Sequence, residues 1–559
     1  MKANLLRVSV LMLVVVTACA VPSPTSPPQS SQVMLPTSTP HPTVVPQQTV
    51  EANAVRGGNL MIGTVTEAST LQPLLAADSP SQSYINLLYA PLVRVDPQTL
   101  EITGVLYEDK PMIAADGSKI TWKLRQGLKW SDGKPLTTQD IIFTWQKMMD
   151  EKVKFPFRKT YQDAFADVQA VDDLTVDYIL RTPGFCPALA KTDLVPPIPQ
   201  HVFENLDINT SAVNNKPTVT SGPFRFKEWE RYDHLTASPA YEGFVRGKPY
   251  LDAVTYRVIP DMNVAALLFR TQEIDVVATL STDAAAGILQ LPHTQFVAFY
   301  PTIGASTSYL VMNLRNPFLA DKIVRQAISL AIDKQTMIDI LIGGFGKRQY
   351  SIYPASSWAA VDEKELPHYD YDPAKANQLL DAAGYVRVPD GIRVSKDGKP
   401  IRFRIDYDSG NKVREQMSLV VLSYLREIGI AADVTAYEYN IFMDRIRKGD
   451  PDLYFNARVS DYDPSDAKNL YSTSGAQNFV GYSNPQVDQL FVQAEAVPGC
   501  KQADRKAIYA QIQKIIAEDS PFVLLFTFQT MNYYNKRVNL LPLTSFGVMY
   551  DIEKIWIKP

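Results

Sequence analysis

The sequence predicts an α/β protein built from more than one folded unit. Residues 401 to 448 read as strand, helix, strand, helix (401–407, 413–428, 431–437, 440–448), the order that lays parallel strands side by side. A chain of 559 residues is too long for one hydrophobic core, and domain size alone sets the expectation at roughly three units. A hydrophobic content of 46% with 20% charged residues is that of an ordinary folded soluble body. The net charge of −4 argues against a nucleic-acid surface. The five histidines (His41, His201, His234, His293, His368) are scattered, with no pair at metal-ligand spacing, so no metal and no cofactor is expected.

The N-terminus reads as an export signal. Lys2 and Arg7 supply the positive region, and the apolar run Val8–Val16 is short for a transmembrane helix. Val16-Thr17-Ala18-Cys19 resembles a bacterial lipoprotein box, in which Cys19 carries lipid; ordinary signal cleavage or a retained anchor are the alternatives. Buried acyl CH₂ groups contribute about 0.8 kcal/mol each, so several chains anchor firmly. Residues 20–53 are rich in Pro, Ser, Thr and Gln and lack the apolar surface to fold, which makes them a tether.

Within the body, Gly57 to Glu67 reads as a strand leaving the tether, and a helix is expected over 81–89. Thr121 to Trp145 reads as strand, turn and helix. Ser131-Asp132-Gly133 is turn chemistry, Thr138 is placed to cap, Asp140 suits the first turn, and Ile141, Ile142 and Trp145 recur at helical spacing. Residues 168–176 form a hairpin turning at Asp172-Asp173. A strand over 309–313 precedes two helices, one capped by Asp321 and one begun by Asp333 and stopped at Gly343-Gly344. A strand over 452–457 then runs into Arg458-Val459-Ser460-Asp461-Tyr462-Asp463-Pro464, and a loop at the carboxyl end of such a strand is where ligands gather.

Several stretches resemble the family 5 extracellular solute-binding proteins, the oligopeptide-, dipeptide- and nickel-type receptors of ABC importers. The resemblance is carried by Leu124-Arg125-Gln126-Gly127-Leu128-Lys129-Trp130-Ser131-Asp132-Gly133 and the helix start after it. It continues in Val324-Arg325-Gln326-Ala327-Ile328, in Ser520-Pro521-Phe522 and in the Asp461-Tyr462 loop. It implies a two-lobed periplasmic-binding-protein-like fold (type II, cluster C) with an extra small domain and two hinge crossings. Lobe I is expected from 54–95, 205–307 and 526–559, the appended domain from 96–204, and lobe II from 308–525. It also implies a receptor, not an enzyme, with a small solute, by default an oligopeptide, as ligand. The partners would be ABC permease subunits with their ATPase, and the location extracytoplasmic, lipid-anchored to the membrane through Cys19.

The resemblance also nominates residues. Asp461 matches the aspartate that pairs with a peptide's α-ammonium, and Tyr462 the tyrosine beside it. Arg458 stands where the family often has Trp; it could neutralise Asp461 or grip an anionic ligand group. Thr66 and Glu67 match the strand that offers backbone hydrogen bonds to an extended ligand. His201 falls in an Ile-Pro-Gln-His segment and is expected to be structural. Cys186 and Cys500 remain after Cys19, and an oxidising compartment favours one disulfide. The resemblance places them on opposite sides of a hinge, where a bridge would hinder closure unless it lay near the hinge, so the pairing stays open.

Rival classes are weaker. The chain has no Gly-x-Ser-x-Gly and no His-Glu-x-x-His, although a paired-carboxylate surface hydrolase has no signature to exclude. An adhesin or sensor would share the exported, tethered body. Among ligands, oligosaccharides follow peptides, given the abundant Tyr and Phe, and nickel comes last for want of histidines.

Overall fold

A computed structural model of the chain describes residues 54–558, apart from 193–194, 240–245, 279–281, 302 and 540–543. The signal segment, Cys19 and the tether therefore lie outside the described residues. Two large sheets dominate. The first has seven strands, in the spatial order Thr294–Phe299, Thr530–Asn535, Val276–Ala278, Asn59–Thr64, Ala253–Val258, His234–Pro239, Phe224–Glu230. The second has six: Gly346–Arg348, Phe522–Phe528, Ser306–Met312, Leu453–Val459, Arg402–Asp408, Ala431–Tyr437. These are the cores of two lobes.

The second lobe contains the βαβα run expected from sequence. Arg402–Asp408 pairs in parallel with both Ala431–Tyr437 and Leu453–Val459, and the helices Lys412–Glu427 and Tyr439–Lys448 make the connections. The helices begin and end where capping chemistry dictates. Asp321 and Asp333 accept hydrogen bonds from the first free amides of Lys322–Ala331 and Lys334–Ile342, and Gly343 closes the latter at φ 61°. In the segment 121–145 the cap is Thr137, not Thr138. Thr137 and Asp140 form a reciprocal capping box, and the Thr138 hydroxyl donates to the Asp172 carbonyl instead.

A smaller four-stranded sheet (Met112–Ile113, Lys119–Lys123, Thr175–Leu180, Phe165–Ala170) carries the helix Thr138–Met149. Trp122, at its centre, is fully buried and stacks on Tyr107 with centroids 5.1 Å apart. One continuous apolar cluster joins Trp122, Trp130 and Phe165 to Leu60, Tyr84 and Leu88 beneath the seven-stranded sheet. The small sheet and the first lobe thus share a core.

The chain passes between the lobes twice, between Phe299 and Ser306 and at Gln529. The Gln529 amide donates to the Phe345 carbonyl at 3.3 Å, and the Phe345 ring meets Phe296 edge-on across the junction. Phe522–Phe528 stays in the second sheet to its last residue, so the return crossing comes after Phe528.

Candidate ligand-binding cleft

Strand direction locates the cleft. In the first sheet, Asn59–Thr64, Ala253–Val258 and Val276–Ala278 run parallel, and Thr294–Phe299 points the same way before feeding the first crossing. Their carboxyl ends therefore lie on the hinge side. In the second sheet, Leu453–Val459 runs antiparallel to Ser306–Met312, with Val459 opposite Ser306, so its carboxyl end also lies at the crossing. Ser460 seals the corner: its amide donates to the Ala305 carbonyl and its own carbonyl accepts from the Gly304 amide, both at 3.0 Å. Loops at the carboxyl ends of both sheets thus face one another, the position at which open α/β sheets bind ligands.

Asp461 follows directly. Its side chain is 47% exposed, and its carboxylate is 3.3 Å from the Lys191 ammonium, contributed by the short helix Ala188–Lys191 beside the small sheet. Arg458 does not take the role of its neutraliser. Its guanidinium turns into the second lobe, pairs with Asp466 and donates to the Ile352 carbonyl at 3.0 Å, leaving only 12% of the side chain exposed. Nor is it available to an anionic ligand group. Burial pushes the Asp466 carboxyl up, and the Arg458 charge offsets only part of that. The Tyr462 hydroxyl donates to the Leu100 carbonyl at 2.9 Å and accepts from the Gln502 side chain, which also donates to Leu100 at 2.7 Å. Tyr462 therefore joins the second lobe to the first-lobe loop around Leu100.

Beside that contact Cys186 and Cys500 form a disulfide, with Cα atoms 5.3 Å apart across a sequence separation of 314 residues. The Cys186 amide donates to the Glu495 carbonyl at 2.8 Å. The bridge continues the line of hinge contacts that runs from Ala305 through Ser460, Tyr462 and Gln502. A covalent link there joins the lobes beside the contacts of Leu100 with Tyr462 and Gln502.

On the first-lobe side, Thr66 is exposed and its carbonyl accepts from the Thr64 hydroxyl. Glu67 is committed elsewhere. Its Oε1 accepts from the Trp229 indole at 3.0 Å and from the Tyr232 amide at 2.9 Å, and Oε2 lies 3.6 Å from Arg231. It thereby builds the hairpin tip between Phe224–Glu230 and His234–Pro239. At that tip Tyr232 adopts φ 63° and is 83% exposed. A left-handed conformation costs a side-chain-bearing residue roughly 1–2 kcal/mol. Tyr232→Gly is expected to raise stability by about 0.5–1 kcal/mol in thermal unfolding, part of the relief being lost to the chain entropy of glycine. His201 bonds Asp132 at 2.9 Å, a structural contact. Among the described residues no cluster of His, Cys, Asp and Glu could hold a metal ion.

Lys191, Leu100, Gln502 and Tyr232 were invisible to sequence reading. Lys191 meets Asp461 across 270 positions, and no local pattern announces such a pair. A bulky residue in a turn that wants glycine is the one signal that could have marked Tyr232.

Comparison with known proteins places the chain among relatives of known kind. The family model described as bacterial extracellular solute-binding proteins, family 5 middle, matches residues 101–479. The oligopeptide-binding protein AppA of Bacillus subtilis is 29% identical over 522 residues, covering 90% of this chain and 92% of that protein. Protein XP55 of Streptomyces lividans is 30% identical over 480 residues, with 84% and 83% covered. The solved structure of B. subtilis AppA in complex with a nonapeptide superposes with a TM-score of 0.67 at 27% identity, covering 90% of this chain and 100% of that one.

Proposed function

Since the chain belongs to the family 5 bacterial extracellular solute-binding proteins, we propose that it captures a peptide-like solute between its lobes and delivers it to the permease and ATPase of an ABC importer. The observation that carries the peptide reading is the Asp461–Lys191 pair. A half-exposed carboxylate at the hinge-side end of a strand already holds an alkylammonium. The α-ammonium of a peptide is the same chemical group. A partly exposed ion pair contributes about 0–1 kcal/mol, so an incoming ammonium can displace Lys191 at small cost. Thr66, exposed after the strand Asn59–Thr64, would offer backbone groups to an extended chain. Binding needs no bond to be made or broken, so the chain acts as a receptor and not as a hydrolase. No helix among the described residues is long and apolar enough to cross a membrane. Lipid on Cys19 and the tether of residues 20–53 would hold the body at the extracytoplasmic face.

The exposed Tyr232, beside Trp229 and Arg231, supports a second reading, an oligosaccharide stacked on aromatic rings at the rim. Thermal unfolding of the body from Asn53 onward, against mixed peptides, oligosaccharides and nickel, separates these. A ligand at a hundred times its Kd adds about 2.7 kcal/mol. Stabilisation by peptides that vanishes in Asp461→Ala is the expected result; stabilisation by sugars alone would discard the peptide reading.

A further inference from the structure

The second lobe contains a separate small cavity of about 30 Å³, lined in part by Lys334, Tyr350, Tyr369, Tyr471, Ser520 and Pro521. Lys334 opens the helix Lys334–Ile342 and is 7% exposed. Among the described residues its ammonium makes no hydrogen bond and no ion pair. It lies over the Tyr350 ring, 4.9 Å from the centroid. The carboxylate closest in charge terms, Asp370, is engaged by the Tyr350 hydroxyl at 2.5 Å and by Arg348 at 3.3 Å. The Tyr471 side chain, 2% exposed, also makes no hydrogen bond among the described residues.

A buried charge without a partner is costly, and proteins place them against a counter-charge. Burial, with Arg348 adding to it and Asp370 opposing it, lowers the Lys334 pKa to about 8, so the amine is still mostly protonated at neutral pH. The cavity in front of it is rimmed by phenol rings and proline, which present no second cation.

We propose that this cavity binds a small monocarboxylate, of the size of formate or acetate, through the Lys334 ammonium. The site is distinct from the cleft and does not depend on what the cleft binds. Carboxylate oxygens accept from the ammonium, and the short apolar tail lies against the aromatic and proline walls.

The test uses the exported body at fixed ionic strength, with sodium fluoride as the balancing salt. Acetate or formate should raise the melting temperature saturably, and Lys334→Met should abolish the rise while leaving peptide stabilisation intact. An independent readout avoids reliance on the variant: amine-reactive labelling of Lys334 in the unaltered protein, followed by mass spectrometry. Saturating acetate should slow labelling at Lys334 at least threefold and leave the exposed Lys412 unaffected. An equal melting shift in Lys334→Met, or labelling that acetate does not change, would overturn the proposal. Protection by chloride and not by carboxylates would overturn the ligand class.

Discussion

Asp463→Ala will destabilise the second lobe by about 3–5 kcal/mol, because it strands a buried guanidinium. Asp463 accepts two hydrogen bonds from Arg505, at 2.7 and 2.9 Å, with the two side chains only 6% and 5% exposed. Arg505 also donates to Tyr509 and to the Ala494 carbonyl, so its position is fixed and it cannot swing to water. Replacing both partners together, as Asp463→Leu with Arg505→Met, should recover much of the loss, since no charge is then left uncompensated. The pair also gives a pH signature. Burial pushes the Asp463 carboxyl up, but the Arg505 charge and hydrogen bonds outweigh burial and hold its pKa below the usual range. A lowered folded-state value means that this stabilisation is complete above the unfolded carboxylate value, about 3.9, and is lost as pH falls through the folded one. Urea unfolding at neutral pH and near pH 3 should therefore show the gap between wild type and Asp463→Asn narrowing in acid. Asp463 lies two residues from Asp461, so the alanine variant should also lose ligand-induced stabilisation.

The second large effect belongs to the disulfide. Cys186→Ser with Cys500→Ser should cost about 2–4 kcal/mol. It should also let the ligand-free lobes part further. Without the bridge, non-covalent contacts remain there: the hydrogen bonds of Leu100 with Tyr462 and Gln502, the backbone bond from residue 186 to Glu495 and the Asp461–Lys191 pair. Small-angle scattering should show a larger radius of gyration for the ligand-free variant and the wild-type value once ligand closes the cleft. An unchanged radius in both states would mean that the bridge does not limit the swing.

The parts of this protein that were legible in the sequence are those set by local chemistry. The alternation of residues 401–448, the caps at Asp321 and Asp333 and the turn at Asp172-Asp173 depend on neighbours a few positions away, and each is found where the residues place it. The loop that follows the strand Leu453–Val459 was legible in position, because it ends a strand. What its residues touch was not. Arg458 turns inward because Asp466, eight positions on, is buried beside it and needs a cation. Glu67 turns to Trp229 and Tyr232, brought near by a strand pairing more than 160 positions distant. Whether Cys186 could bridge Cys500 depended on where the hinge runs, a property of the assembled lobes.

The place of Thr530–Asn535 has a consequence for biogenesis. This strand, from the last thirty residues of the chain, sits inside the first sheet, between Val276–Ala278 and Thr294–Phe299. Until it arrives, those two strands have no partner on the sides it will fill, and their edges are open to the wrong pairings. A chain threaded outward from its N-terminus can assemble the small sheet and most of the second lobe early. The lobe that is synthesised first is finished last. Its folding time is set by contacts of very long sequence separation, which form slowly. Deletions from the C-terminus should thus produce a secreted protein with an intact second lobe and an aggregation-prone first one.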